Sequence, residues 1–246
     1  MTPARDERPL GAVPRSIWAV FALLLGAQLA VAITRPARAP AAEDLPPPPR
    51  SAVLEVAALG ENAAFSRLAM VYLQAFDLSS DNATPYRKLD YARLVGWLRA
   101  IRDVDPRSDY ALFSAARIYA ENPDPARSRM ALAFVHESFL QDPDRRWPWL
   151  AHAALLAKHR LRDLVLARRY AADVARLSHD PNLPDWARQM EVFVLEDMNE
   201  IDAARVLLGA MLAAGKIRDP AERRFLEHHL QELKSRSGIT DKGEKR

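Results

Sequence analysis

The stretch that decides the fold, Asp142 to Arg160, reads DPDRRWPWLAHAALLAKHR. It opens with an Asp-Pro pair and continues as a glycine-free run of mostly helix-forming residues. The pair recurs at Asp105, Asp180 and Asp219, so successive pairs are 37, 38 and 39 residues apart. The residue before a proline is pushed out of the helical region, and the proline itself favours a new helix start. The regular spacing of the Asp-Pro pairs therefore predicts a series of helical units of nearly equal length.

Alignment of the units predicts four first helices, which begin at Asn62, Asp109, Arg146 and Leu183. Their fourth position is large, their eighth is mostly small and their eleventh is large, which places the three on one helical stripe. The fourth position holds Phe65, Leu112, Trp149 and Trp186. We therefore predict that these residues, Trp149 among them, pack into the core.

This pattern resembles the tetratricopeptide repeat, a helix-turn-helix unit of 34 residues. The resemblance extends over residues 62–220, where second-helix alanines and a proline at the end of each unit also match. The units here are longer than 34 residues, notably in the turn of residues 77–88. The resemblance implies an all-α solenoid of about four helical hairpins. It also implies a groove, lined by first helices, that binds a peptide or a partner protein's helix.

The family's inner-face positions identify the residues that would line this groove. They are Tyr110, Phe113, Arg117, Trp147, Lys158 and Glu191. Aromatic side chains at such positions would supply binding energy, and the charges would select the orientation of a peptide. For Trp147 two interpretations stay open: an anchor that faces the ligand, or packing against the neighbouring hairpin.

Near the N-terminus, Ile17 to Ile33 is an apolar run whose one polar member is Gln28. A helix of this length extends about 25 Å, at the short end of what crosses a bilayer. A cleaved signal peptide is the alternative, because Ala30 to Ala32 has the small-x-small form of a cleavage site. We favour a retained anchor, since the run is longer than a signal-peptide core.

The chain divides into five predicted segments. They are a short cytoplasmic tail (1–15), a transmembrane helix or uncleaved signal anchor (16–34), a Pro-rich linker (35–51), the repeat domain (52–234) and a disordered tail (235–246). The linker is expected to be a semi-extended spacer, with its PPPP run as a possible SH3-type ligand. The domain ends in a predicted capping helix, Pro220 to Lys234, with an apolar face.

Composition and motifs favour a protein without catalytic chemistry. Cysteine is absent, and 35 basic and 32 acidic residues are interleaved, so no basic stripe for nucleic acid is present. His136 and Glu137 begin HESFL, which lacks the second histidine of a zinc-protease motif. Adjacent His228 and His229 point about 100° apart on a helix, unsuitable for one metal ion. We therefore expect no metal, no cofactor and no nucleic-acid partner.

These observations predict a non-catalytic, membrane-anchored scaffold that binds a protein or peptide partner in a cell-envelope complex. Its domain is expected outside the cytoplasmic (inner) membrane, on the periplasmic or exterior side. Two alternatives stay open. One is a peptidoglycan-acting enzyme that uses Glu137, and the other is a module that binds anionic lipids.

Overall fold

The computed structural model describes residues 14–34, 45–76, 85–215, 217 and 219–243. Their regular structure is entirely helical, as predicted, and these ranges contain no strand. The chain forms two compact units, residues 1–43 and 44–246. The predicted cytoplasmic tail up to residue 13 and linker residues 35–44 lie outside the described residues.

The first unit contains a single described helix, α1 (Arg15–Thr34). The described side chains from Ile17 to Val31 are exposed on every face of this helix, although almost all of them are apolar. Within the described part of the chain, no helix meets the length and apolarity that a membrane crossing requires.

The second unit contains eleven described helices. They are α2 (Ser51–Ala58), α3 (Asn62–Ala75), α4 (Pro85–Lys88), α5 (Tyr91–Val104), α6 (Tyr110–Arg117), α7 (Pro125–Gln141), α8 (Pro143–His159), α9 (Leu164–Leu177), α10 (Asp185–Asp197), α11 (Ile201–Ala213) and α12 (Pro220–Gly243). Four hairpins follow one another: α3 with α5, α6 with α7, α8 with α9, and α10 with α11. From α5 to α12 each helix packs against the next.

The Asp-Pro pairs separate the hairpins in two ways. Pro143 and Pro220 are first residues of α8 and α12, as expected for a proline that lacks an N–H. Asp105 and Asp180 instead form turns, in which the carboxylate accepts a hydrogen bond from the backbone N–H two residues later. There the next helix begins several residues beyond the proline.

The buried stripe of two first helices differs by one residue from the prediction. In α8 it passes through Leu150 and Ala153, which leaves Trp149 half-buried at its edge. Around α10 it passes through Leu183 and Ala187, and Trp186 is 51% exposed. The expected burial of Trp186 was therefore wrong. The small Ala187 allows close helix packing, whereas an indole at that position would separate the helices.

The C-terminal helix is longer than predicted. Leu226 and Leu233 of α12 are buried against α10 and α11, so the helix covers the apolar end of the last hairpin. It continues to Gly243, where a disordered tail was expected from residue 235. Extending a formed helix is easier than nucleating one, so α12 continues past its last core contact. Residues 244–246 lie outside the described residues.

The described end of the predicted Pro-rich linker, residues 45–50, packs against the helices of the second unit. Leu45 is 1% exposed and belongs to the main core, and the carbonyls of Leu45 and Pro46 accept hydrogen bonds from α5. The described end of the linker is thus part of the second unit.

Candidate partner-binding surface

Polar contacts between hairpins join residues about one repeat apart. Arg102 and Glu137 are 35 residues apart, His136 and Asp173 are 37 apart, and Tyr110 and Gln74 are 36 apart. A similar spacing of 33–39 residues recurs in the contacts of Trp147, Lys158 and His229 with the neighbouring repeat. Contacts of this spacing therefore connect each hairpin to the next one, although the side chains involved differ from joint to joint.

Three of the six predicted groove residues lie on α6, and two of them, Tyr110 and Phe113, contact neighbouring helices. The Tyr110 hydroxyl donates a hydrogen bond of 2.9 Å to the Gln74 side chain of α3. The Phe113 ring meets the Trp149 ring of α8 edge to face, with 5.8 Å between their centroids. Phe113 is nevertheless exposed, whereas Tyr110 is half-buried against the core.

Trp147 packs against the neighbouring hairpin, the second of its two predicted interpretations. Its Nε1 donates a hydrogen bond of 3.1 Å to Asp180, and its ring lies 5.9 Å from the ring of Trp186 on α10. Trp147 is half-buried in this contact. The exposed aromatic surface at this joint belongs to Trp186 instead.

The three charged groove candidates do not converge on one site. Lys158 forms an ion pair with Asp197 of α10, and Glu191 lies 3.3 Å from the Nε of Arg168 on α9. Arg117 is exposed on α6 near His152. Burial lowers the pKa of His152, and the positive charge of Arg117 lowers it further. Lys158 and Glu191 thus link adjacent helices, while Arg117 remains on the surface.

A different set of side chains forms the exposed apolar surface of the first helices. We name it the first-helix face, and it consists of Leu68, Val71, Tyr72, Phe113, Leu155 and Trp186. The opposite sides of these helices pack on the second helices of the hairpins. Of this set, sequence reasoning identified only Phe113 as a binding residue. Leu155 was detectable from its position on α8, away from the buried Leu150 and Ala153.

A cleft lies at the Asp-Pro turns, at a joint between repeats. Its volume is about 810 Å³, and its lining includes Arg145, Arg146 and Trp147. Arg146 is 1% exposed and donates hydrogen bonds to the carbonyls of Ser138, at 2.7 Å, and Pro106, at 2.8 Å. These contacts attach α8 to the preceding repeat.

Glu137, the predicted alternative catalytic residue, is engaged in an ion-pair network. Its carboxylate lies 2.8 Å from Arg99 Nε and 3.1 Å from Arg102 Nη1. Burial raises the pKa of Glu137, but the hydrogen bonds from both arginines outweigh it and hold the pKa below its ordinary value. A general acid in glycoside cleavage needs a raised pKa, so this geometry favours a structural role for Glu137.

No group of three or more His, Asp or Glu side chains is placed to hold a metal ion in the described part of the chain. Comparisons with protein-family models, with curated proteins and with solved structures found no match for this chain.

Proposed function

We propose that this protein is a non-catalytic scaffold that binds a partner protein or peptide on the first-helix face. The observation that supports the proposal is the exposure of apolar side chains on successive first helices, from Leu68 on α3 to Trp186 on α10. Exposed apolar patches often mark interaction sites on folded proteins. The resemblance to tetratricopeptide repeats supports the same assignment.

The chemistry of this surface favours a partner segment with an apolar face, either helical or extended. Phe113 and Trp186 have half-exposed rings. Each ring is in edge-to-face contact with a tryptophan of a neighbouring helix, Phe113 with Trp149 and Trp186 with Trp147. Rings fixed in this way lose little conformational freedom on binding, which is typical of residues that dominate interface energy. Arg117, exposed on the same helix as Phe113, would favour a carboxylate beside the apolar contacts.

We further propose that α1 is retained as a single-pass anchor in the cytoplasmic membrane, with the repeat domain on the periplasmic or exterior side. An apolar helix exposed on every face is unfavourable in water and favourable among lipid tails. The run from Ile17 to Ile33 is short for a crossing, and local thinning of the bilayer accommodates such helices at modest cost. An anchored scaffold of this kind suits the assembly or maintenance of a cell-envelope complex.

A position-specific cross-linking experiment tests partner binding. A photoreactive amino acid at Leu155 on α8 is expected to give a discrete cross-linked product in native membranes. Leu140 on α7 provides the matched control position, because both leucines are similarly exposed (44% and 50%) but only Leu155 belongs to the first-helix face.

The product formed from position 155 is expected to decrease at least fivefold when Trp186→Ala is added, since the indole supplies much of the contact area. Circular dichroism checks that helicity is unchanged. Equal cross-linking from positions 155 and 140, or a product unaffected by Trp186→Ala, would contradict a partner site on this face.

A further inference from the structure

The described end of the linker occupies a slot on the outer side of α5. Arg93 Nη1 donates a hydrogen bond of 2.8 Å to the carbonyl of Leu45, and Trp97 Nε1 donates one of 2.8 Å to the carbonyl of Pro46. The Leu45 side chain is buried in the core beyond them. Two successive carbonyls and one apolar side chain of the linker are thus held by side chains of a single helix turn.

Gly96 completes the slot by the absence of a side chain. A Cβ at this position would lie 2.8 Å from Cγ of Pro48, which is closer than two non-bonded carbon atoms approach. The proline ring therefore packs directly on the helix backbone. On the other side of Trp97, the ring of Tyr72 lies 5.4 Å from the indole and supports it.

The hydrogen-bond donor Arg93 is held in place by Asp90, the residue before α5. The carboxylate of Asp90 caps the N-terminus of α5 by accepting hydrogen bonds from the N–H groups of Ala92 and Arg93. The same carboxylate lies 3.3 Å from Arg93 Nε, which orients the guanidinium toward the linker. The Arg93 fork and the supported Trp97 indole would need little rearrangement to accept an extended chain.

The chemistry of the contacts suits an extended proline-containing segment. Prolines have no N–H, so a proline run offers the backbone of its partner only carbonyl acceptors. Here the carbonyls of Leu45 and Pro46 accept hydrogen bonds from the side chains of Arg93 and Trp97. Arg50, at the end of the segment, has φ −63° and ψ 142°, the polyproline II conformation. Aromatic residues beside a donor are the usual receptors for this conformation.

We propose that Arg93, Gly96 and Trp97 form a binding site for an extended Leu-Pro-Pro segment, and that the linker is its resident ligand within the same chain. The interaction goes beyond the proposed partner binding, because its two donors, Arg93 and Trp97, lie on α5, which carries no residue of the first-helix face. It has a consequence for the linker: release of residues 45–49 would add up to about 15 Å of polyproline to the free tether.

Competition with a synthetic peptide tests the site. The probe is the labelled hexapeptide LPPPPR, residues 45–50, titrated into the full chain and followed by fluorescence anisotropy. The unaltered chain is expected to bind it weakly, since the tethered segment is present at an effective concentration in the millimolar range. Leu45→Asp places a charge in a buried apolar position, which should displace the linker and strengthen peptide binding at least tenfold.

Two glycine substitutions in the Leu45→Asp chain provide a matched pair. Gly96→Ala introduces the methyl group that would collide with the proline ring and is expected to weaken peptide binding at least tenfold. Gly209→Ala on α11 is the control, because a Cβ there has nothing within 4 Å. Both changes raise helix propensity equally, so only steric closure of the slot distinguishes them.

Three results would overturn the proposal. They are equal peptide binding by the two glycine variants, no binding by the Leu45→Asp chain up to millimolar peptide, and no difference between that chain and the unaltered one. If Leu45→Asp lowers helicity, the double change Pro46→Gly and Pro48→Gly vacates the slot while retaining Leu45, and the same comparisons apply.

Discussion

At the scale of single residues, the C-terminal end of the helical stack is held by a histidine that contacts two carboxylates. This residue is His229 of α12: its Nε2 lies 2.7 Å from Glu196 of α10, and its Nδ1 lies 3.2 Å from Glu232. Phe225 stacks on the imidazole from the outer side, and Phe193 of α10 lies against it as well. A neutral imidazole has a single N–H, so both contacts are hydrogen bonds only when the ring is protonated.

This arrangement predicts a pH-dependent stability of the capping helix. Burial lowers the pKa of His229, but the hydrogen bonds to Glu196 and Glu232 outweigh it and raise the pKa above its ordinary value. Because the folded pKa is raised, the stabilisation is complete below pH about 6.5 and is lost as pH rises through the folded pKa. Chemical denaturation should show that His229→Gln lowers the free energy of unfolding more at acidic than at alkaline pH.

The neighbouring histidine provides the control for this measurement. His228 lies on the same helix with its side chain exposed, so His228→Gln is expected to have little effect at any pH. Arg236 also lies 3.3 Å from Glu196, and both histidine substitutions leave this ion pair unchanged in sequence. A constant difference between the unaltered chain and His229→Gln from acidic to alkaline pH would contradict a protonated His229.

At the scale of secondary-structure elements, α8 contains a local conflict. Pro148 lies inside this helix and is exposed. It has no N–H, so the carbonyl of Asp144 lacks its usual partner one turn later. The two tryptophans on either side of Pro148 face different neighbours, since Trp147 meets α10 and Trp149 meets α6.

Pro148→Ala is expected to stabilise the protein. Restoring the hydrogen bond and removing the ring from a helix interior should raise the free energy of unfolding by roughly 1–3 kcal/mol. Pro123→Ala is the control, because Pro123 lies in the turn before α7 and its replacement mainly increases the freedom of the unfolded chain. A loss of stability in Pro148→Ala would mean that the proline is needed to seat Trp147 against Trp186.

The elements were more predictable from the sequence than the site. Proline punctuation and apolar periodicity predicted the four hairpins, and α3 begins at Asn62 as expected. The exposure of individual side chains was harder to predict. A shift of the buried stripe of α10 by one residue places Ala187 in the core and leaves Trp186 exposed. Docking of Leu45 depends on Arg93 and Trp97, about 50 residues away, and no local pattern reports such a contact.

At the scale of the whole molecule, the proposed membrane anchor leads to a partitioning prediction. The full chain is expected to stay in the membrane fraction after washing with high salt and with alkaline carbonate. Hydrophobic burial of the run from Ile17 to Ile33 resists both treatments, whereas electrostatic attachment does not.

A chain that begins at residue 44 is the control, since it retains the second compact unit and lacks α1. It is expected in the soluble fraction after the same washes. Release of the full chain by salt alone would contradict the anchor, and the mass of the mature protein would show whether cleavage after Ala32 has removed it.

The regular spacing of the contacts between hairpins has an evolutionary consequence. Contacts such as Arg102 with Glu137 and His136 with Asp173 connect each hairpin to the adjacent one at a spacing of about one repeat. Duplication or excision of a complete module within the array would recreate a similar joint at the seam. Such an array can therefore gain or lose whole hairpins while α12 still packs against the last one.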